Sequence, residues 1–280
     1  MQKFRRATIP RMSKLVDSGD SLLSPSIAQR LGDVASQTAR AFIGIRELLL
    51  HGEIARGERL SELPLVARLG MSRTPIRLAL ERLANIGLLD AGATGGFTVR
   101  EFTVFEVLDA IEVRGVLEGT AARLAAERLT DDGELEPLRH LCRQMDLLQR
   151  LTIDSFAQYM DMNEAFHAAI LALSKSAMLR RNLEQVNSLP FASPSAMVFP
   201  TSILPRSDET LAIALEQHRG IVEAIASRQG TRAESLAREH AYIARRVLEL
   251  ALSDLDALRR VPGGPLIKMS ARERLRYERT

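Results

Sequence analysis

Three of the five histidines stand on otherwise apolar helical stripes in the C-terminal half of the chain. His167 follows Asn163 by one turn on one predicted helix, and His218 and His240 each continue the stripe of a later helix. A single buried imidazole is ordinary, because a backbone carbonyl or a water can satisfy it. Three imidazoles beside an amide oxygen favour a common partner, and this donor set suits zinc, nickel or another divalent transition metal inside a helical bundle.

An arginine lies on a similar inward stripe of the long helix predicted over residues 104–128. Arg114 shares one face of that helix with Ile111 and Leu117, so its guanidinium is expected to point inward. The simplest partner is Glu118, which stands one turn further on. A guanidinium fork also suits bidentate contact with the carboxylate of a ligand.

Residues 61–89, SELPLVARLGMSRTPIRLALERLANIGLL, indicate two short helices joined by a tight turn. Ser61 and Ser72 stand where each helix would be capped, and Gly70 supplies a left-handed end to the first. On the second helix, Arg73 and Arg77 share the side opposite the apolar stripe. This division is typical of a DNA recognition helix, although two arginines four residues apart also fit a solvated face.

A glycine-rich turn between two β-prone runs follows that second helix. Residues 87–89 and 97–100 are the two runs, and residues 91–96 connect them. Gly95 and Gly96 have no side chain that would keep the backbone from a DNA groove, and Arg100 is placed to approach a phosphate. A further helix over residues 34–50 precedes the pair. The pattern predicts a winged helix-turn-helix.

Residues 34–101 resemble the winged-helix domain of the GntR family of bacterial transcription regulators. The matching segment is GEIARGERLSELPLVARLGMSRTPIRLALERLANIGLL, followed by the glycine wing. Leu78 stands where the family often has an acidic residue, and we expect no loss of DNA binding from that. The resemblance implies a double-stranded DNA partner contacted by Ser72, Arg73, Thr74 and Arg77, with Gly95 and Gly96 at the wing.

Residues 104–255 look like the FCD ligand-binding domain of the FadR subfamily of these regulators. The segments that carry the resemblance are AIEVRGVLEGTAARLAAERL, NEAFHAAILALS and EQHRGIVEAIASRQGTRAESLAREH. It implies that Arg114 clamps the carboxylate of a small organic acid. It also implies a divalent transition metal, zinc first with nickel or manganese as alternatives, held by Asn163, His167, His218 and His240.

Asn163 departs from the aspartate that the family frequently has at this position. Four neutral ligands leave a divalent metal its full charge. We therefore expect weaker retention of the metal and a stronger pull on an anionic effector.

The expected fold is mainly α, with an N-terminal winged helix-turn-helix that carries a small β-wing and a C-terminal all-α bundle. Thr103 and Glu106 form a capping box that opens the second domain. Residues 188–207 contain four prolines and predict a loop that could cover the site. The expected divisions are a flexible basic arm (1–33), the winged helix (34–102), a dimerising effector domain (103–258) and a flexible basic tail (259–280).

Within the effector domain, the apolar periodicity predicts six helices. They are expected near residues 104–128, 134–150, 154–174, 176–187, 210–227 and 231–258.

Composition is consistent with this organisation. A chain of 280 residues with 46% hydrophobic and 26% charged residues can build two cores, and a net charge of +3 is too small to argue for nucleic acid alone. We expect no membrane span, no secretory signal and a cytoplasmic protein. Cys142, the single cysteine, excludes an internal disulfide and is expected to be structural, and His51 and His140 are expected at the surface.

The functional hypothesis is a homodimeric regulator, a repressor, that binds a pseudo-palindromic operator and responds to an organic acid. The alternative is a metal-dependent, hydrolase-like enzyme that uses the histidines to activate water. Catalysis would need a general base beside the metal, yet Glu216 and Glu239, which stand close to two of the histidines in the sequence, point elsewhere. We therefore expect a regulator and not an enzyme.

Overall fold

The structure is a computed structural model that describes residues 25–93, 95–148, 152–189, 191–196, 198–199 and 207–277. The predicted basic arm lies outside the described residues as far as residue 24. Residues 25–33 already belong to the first helix, which therefore begins earlier than the expected Val34.

The N-terminal part is a winged helix-turn-helix. Its elements are α1 (Pro25–Leu50), β1 (Arg59–Leu60), α2 (Glu62–Leu69), α3 (Arg73–Asn85), β2 (Leu89–Ala91) and β3 (Phe97–Val99). The strands form an antiparallel sheet in the order β1-β3-β2, with Leu60 opposite Phe97. Two residues are too few to show the alternation that predicts a strand, so β1 was not expected.

Both helices of the helix-turn-helix begin and end where the sequence predicts. Gly70 is left-handed at φ 64°, and Ser61 and Ser72 occupy the two N-cap positions with extended backbone. Neither serine side chain accepts a capping hydrogen bond, so their contribution is conformational. Ile76 and Leu80 are fully buried against α1, which leaves the opposite side of α3 in solvent.

The C-terminal part is a helical bundle. Its elements are β4 (Phe102–Thr103), α4 (Val104–Arg128), α5 (Glu136–Asp146) after a 3-10 turn, α6 (Ile153–Leu173), α7 (Ala177–Asn187), α8 (Ser207–Ala226) and α9 (Gly230–Leu252). The predicted capping box is present: the Glu106 amide donates to Thr103 Oγ1 at 3.2 Å, and the Thr103 amide donates to Glu106 Oε2 at 2.8 Å.

Helices α4 and α9 pack closely along their length because two glycines face the contact. A Cβ atom at Gly115 would lie 2.9 Å from Ala241 Cβ, and one at Gly119 would lie 2.5 Å from Arg238 Cγ. Both distances are shorter than van der Waals contact. This approach brings the side chains of α4 and α9 to one interior.

The segment after α9 differs from two expectations, because the last helix, predicted to run to residue 258, ends at Leu252, and the tail over 259–280, expected to be flexible, is folded. It forms α10 (Leu255–Arg260), β5 (Ile267–Lys268) and α11 (Ala271–Tyr277). Strand β5 pairs in parallel with β4, and the Gly263 amide donates to Leu50 O at 2.9 Å at the end of α1. The basic residues of this segment indicated a flexible tail, but apolar residues between them, such as Leu266 and Ile267, are buried in the core.

The proline-rich segment also packs more tightly than a simple cover would. Phe191 and Phe199 are buried in the same core as the winged helix, and the Phe191 ring meets Phe102 edge-on with centroids 4.8 Å apart. A second core fills the bundle itself. In the described part of the chain, no helix combines the length and apolar character that crossing a membrane requires.

Candidate functional site

Helices α6, α8 and α9 bring the three predicted histidines together. One nitrogen from each of His167, His218 and His240 lies within 4.8 Å of the others. His218 Nε2 and His240 Nε2 are 3.0 Å apart, and His240 Nδ1 lies 3.1 Å from Gln217 Oε1. The helical stripes alone predicted this convergence.

Two nitrogens of this histidine cluster lack partners. His167 Nε2 and His218 Nδ1 are buried and form no hydrogen bond with described residues. Burying a polar atom in this way costs about 1–3 kcal/mol. A divalent cation would remove the cost by accepting such lone pairs, so the donor set fits a metal.

Burial keeps two of these imidazoles, those of His218 and His240, neutral. It lowers the pKa of His218 well below 6.5, with His240 and His167 acting in the same direction. Burial, together with the neighbouring His167, lowers the pKa of His240 to about 3, although Glu118 opposes this. Neutral imidazole is the form that ligates metals, so these histidines are ready to do so near neutral pH.

Glu118, expected from the sequence as the partner of Arg114, also contacts the histidine cluster, which the sequence did not predict. Its Oε1 lies 3.2 Å from His167 Nδ1, and its Oε2 lies 3.7 Å from Arg114 Nε. Burial raises its pKa, but His167 and Arg114 outweigh this and bring it to about 2. A carboxylate that accepts from Nδ1 directs the lone pair of Nε2 towards a metal.

Glu118 comes from α4, whereas the histidines lie on three other helices. Helical periodicity relates each histidine only to the carboxylates of its own helix, so it does not predict this contact. The available signal was its position one turn after an inward arginine.

Asn163 is buried on α6, one turn before His167. Its Nδ2 donates to Ser195 Oγ at 3.2 Å, and that hydroxyl donates to Met160 O at 3.3 Å. The hydrogen bond to the proline-rich segment occupies the amide nitrogen. Oδ1 is therefore the atom of Asn163 that could ligate a metal.

Arg114 is buried, as its stripe predicted, but the chain itself holds its guanidinium. Nη1 donates to Ser193 O at 2.7 Å and to Ala192 O at 3.4 Å, while Nε faces Glu118. A guanidinium engaged in this way must exchange the loop carbonyls for a ligand before it can clamp a carboxylate.

A cavity of about 340 Å³ adjoins the histidine cluster. His167, His240 and Glu118 line it from the bundle, and Ser193 lines it from the proline-rich segment. Arg46 of α1 also lines it, although that helix belongs to the winged helix. The volume is at the lower end of the range of about 300–1,000 Å³ for small-molecule sites.

The predicted DNA-contacting residues share one solvent-exposed face. Ser72, Arg73, Thr74 and Arg77 are all exposed at the start of α3. Arg77 is loosely paired with Glu81, its Nε lying 3.8 Å from Oε1. The geometry is that of a recognition helix free to enter a major groove.

The wing has the expected glycines and one basic residue that sequence reasoning missed. Gly95 and Gly96 are left-handed at φ 90° and 81°, a conformation that other residues rarely adopt. Arg59 of β1 donates to Gly95 O at 3.3 Å and so lies at the wing tip. Arg100 instead turns to the domain junction, where Nη2 lies 2.5 Å from Glu106 Oε1, because that carboxylate compensates its charge.

Two families of known proteins match this chain, and together they span most of it. Residues 37–99 match the gntR family of bacterial regulatory proteins, and residues 109–242 match the FCD domain. The chain belongs to the GntR family. Its FCD domain is consistent with the FadR subfamily expected from the sequence, and the fold class is confirmed.

Curated relatives carry names of the same kind. The Nta operon transcriptional regulator of Aminobacter aminovorans is 34% identical over 47% of this chain and 60% of its own length. A probable D-xylose utilization operon transcriptional repressor of Paenarthrobacter nicotinovorans is 28% identical over 74% of this chain and 85% of its own length. Family and relatives indicate a DNA-binding transcription regulator.

A solved structure shows the same fold. Escherichia coli McbR/YncC superposes with a TM-score of 0.53 at 24% identity, covering 76% of this chain and 95% of that one. The likeness extends over both the winged helix and the bundle.

Proposed function

We propose that this regulator is a homodimer that binds a pseudo-palindromic operator and releases it when a small carboxylic acid enters the cavity beside a bound metal. The observation that carries the proposal is the histidine cluster, which holds two unpaired buried nitrogens and of which His167 and His240 line that cavity. The dimer's symmetry would set the spacing of the operator half-sites.

The metal would be held by His167, His218 and His240, with Asn163 Oδ1 as the fourth ligand. Zinc suits these donors best, and nickel or manganese are the alternatives. Bound there, the ion would supply positive charge that attracts a carboxylate. Glu118 would keep His167 in the tautomer that ligates.

Signal transfer would run through the proline-rich segment. An effector carboxylate would compete with Ser193 O for the guanidinium of Arg114, which now holds that loop. The same segment buries Phe191 against Phe102 at the junction with the winged helix. A loop displacement would therefore alter how the winged helices are held.

The change in operator affinity equals the difference in effector affinity between the two conformations. Release of DNA, and hence repression in the absence of effector, is the sign we propose. One relative whose name includes the word repressor supports that sign.

The hydrolase-like alternative has less support. Glu118, the carboxylate beside His167, is ionised and already paired with Arg114, so it is poorly placed to take a proton from water. The relatives reported above are named as regulators, not as enzymes.

The first experiment tests DNA binding. Purified protein and an Arg77→Ala variant are each used to select fragments from a library of the organism's genome. Enrichment of a short inverted repeat by the wild type alone supports a sequence-specific regulator. Absence of enrichment, from protein shown to be folded, would overturn the proposal.

A second experiment tests the metal site by elemental analysis. His218→Ala should lower the bound metal, whereas His140→Ala, at an exposed histidine outside the cluster, should leave it unchanged. Operator affinity without effector should be the same in both variants. Equal metal content in the two variants would contradict the site.

A further inference from the structure

Arg46 connects the winged helix to the cavity. It lies on α1, whose other side packs against α3, yet it is one of the residues that line the cavity next to the histidine cluster. Its side chain is 29% exposed. The Arg46 side chain is therefore partly enclosed, and it can contact a ligand that binds in the cavity.

The charge of Arg46 is weakly compensated by the protein. Among the described residues, its carboxylate neighbour is Glu47, with Nη1 and Oε1 3.8 Å apart. Adjacent residues on a helix do not face each other, and Glu47 is half exposed, so this contact is weak. The guanidinium therefore has donors to offer a ligand.

A second polar group in the cavity lacks a partner. Asn187, at the end of α7, lines the cavity, and its Oδ1 is buried without a hydrogen bond to described residues. Rotation of the amide would present its N–H groups to an anion instead. Arg46 and Asn187 together could then bind an acidic group.

The two acidic residues that line the cavity do not compensate the charge of Arg46. Glu118 is compensated by Arg114 and His167, and Glu164 stands at an exposed position of α6. A ligand with one carboxylate at the histidine cluster would leave Arg46 without an anionic partner. A ligand with two carboxylates would satisfy both ends.

We propose that the effector is a dicarboxylic acid whose second carboxylate is bound by Arg46, so that the ligand bridges the bundle and the winged helix. This inference rests on the proposed function. Because Arg46 moves with α1, its contact with the ligand depends on how the winged helix sits against the bundle. Ligand affinity then differs between the two conformations, as a change in operator affinity requires.

The test uses calorimetry on the full-length, metal-loaded protein with acids of equal length. The probes are succinate with butyrate, and glutarate with pentanoate. The variants are Arg46→Gln, Arg46→Lys and a control, Arg40→Gln, at an exposed position of the same helix. Urea denaturation and operator binding without acid show that each variant is folded.

Wild type and Arg40→Gln should bind one diacid at least about tenfold more tightly than its matched monoacid, as expected for hydrogen bonds to a charged group. Arg46→Gln should lose that preference while its affinity for the monoacid stays unchanged. Arg46→Lys, which keeps the charge but not the fork, should fall between them. The diacid should release operator DNA from the wild type but not from Arg46→Gln.

Three results would overturn the inference, in two distinguishable ways. If the wild type binds monoacids as tightly as diacids, or if Arg46→Gln keeps the preference, Arg46 is no ligand residue, although the proposed effector site stands. If metal-loaded wild type binds none of these acids, the proposed effector class fails and this inference fails with it.

Discussion

Two arginines of this chain share one local pattern in opposite surroundings. Arg77 on α3 and Arg114 on α4 each face a glutamate four residues later, at 3.8 Å and 3.7 Å. The first pair is 60% and 51% exposed, and the second is 3% and 9% exposed. Equal spacing and distance therefore do not imply equal function, since solvent decides how firmly each arginine is held.

The physical reason lies in solvation. Water screens the Arg77–Glu81 pair, which contributes about 0–1 kcal/mol, so Arg77 can exchange Glu81 for DNA at little cost. Burial strips the second pair of water, and such a pair persists only when other partners satisfy it. Arg114 has two loop carbonyls, and Glu118 has His167.

The largest expected effect follows from breaking the buried pair. Glu118→Gln should lower the free energy of unfolding by about 3–5 kcal/mol, because it leaves the charge of Arg114 buried without its counterion. Glu249→Gln is the matched control, since Glu249 forms an exposed pair with Arg245 at the same spacing. Urea denaturation measures both, and similar small losses would contradict the contrast.

Sequence periodicity predicted the elements better than the contacts between them. The bounds of α4 were predicted to the residue, because a capping box marks its start and its apolar stripe is long. The three histidines were identified in a similar way, because each stands on an apolar stripe of its helix. Glu118 and Arg46 were not assigned to the cavity, since their partners lie on other helices and no stripe records which helices will meet.

The C-terminal segment shows the same limit. Its buried Ile267 joins β5 to β4 across more than half the chain, and two-residue strands carry no periodic signal. Charge counting suggested a flexible tail there. Only tertiary packing distinguishes the exposed arginines from the apolar residues between them.

A smaller effect should follow from removing the exposed arginine. Arg77→Ala should weaken specific operator binding by about 1–3 kcal/mol, because contacts of arginine to base edges are lost. Fluorescence anisotropy with labelled operator measures it. Arg232→Ala, at an exposed arginine of α9, controls for the loss of charge. Effector affinity should not change, and equal losses of both activities would contradict the division between the domains.

The pH dependence of stability should also distinguish buried from exposed residues. In metal-free protein, the pKa of His240 lies at about 3 and that of His218 well below 6.5 because both are buried. In the unfolded chain these histidines bind protons at higher pH than they do in the folded protein. Their contribution to stability is therefore complete above about pH 6.5 and is lost as pH falls towards 3. The slope is at most about 1.4 kcal/mol per pH unit for each histidine.

Urea denaturation at pH 7.5, 6.5 and 5.5 measures that slope. His240→Gln should reduce it, whereas His51→Gln, at an exposed histidine of the winged helix, should leave it unchanged. An identical slope in the two variants would show that burial of His240 does not govern the titration.

The smallest effect is expected from removing the glutamate of the exposed Arg77–Glu81 pair, and this change tests the contrast between the two pairs most directly. Glu81→Gln removes the partner of Arg77, yet an exposed pair at this spacing contributes about 0.2–0.5 kcal/mol, so the free energy of unfolding should change by no more than that. Operator affinity should stay the same or rise slightly, because a negative charge near the phosphates is lost. A loss of stability above about 1 kcal/mol, or weaker operator binding, would mean that Glu81 positions Arg77 for DNA. The two pairs would then differ in what they bind and not in how firmly they are held.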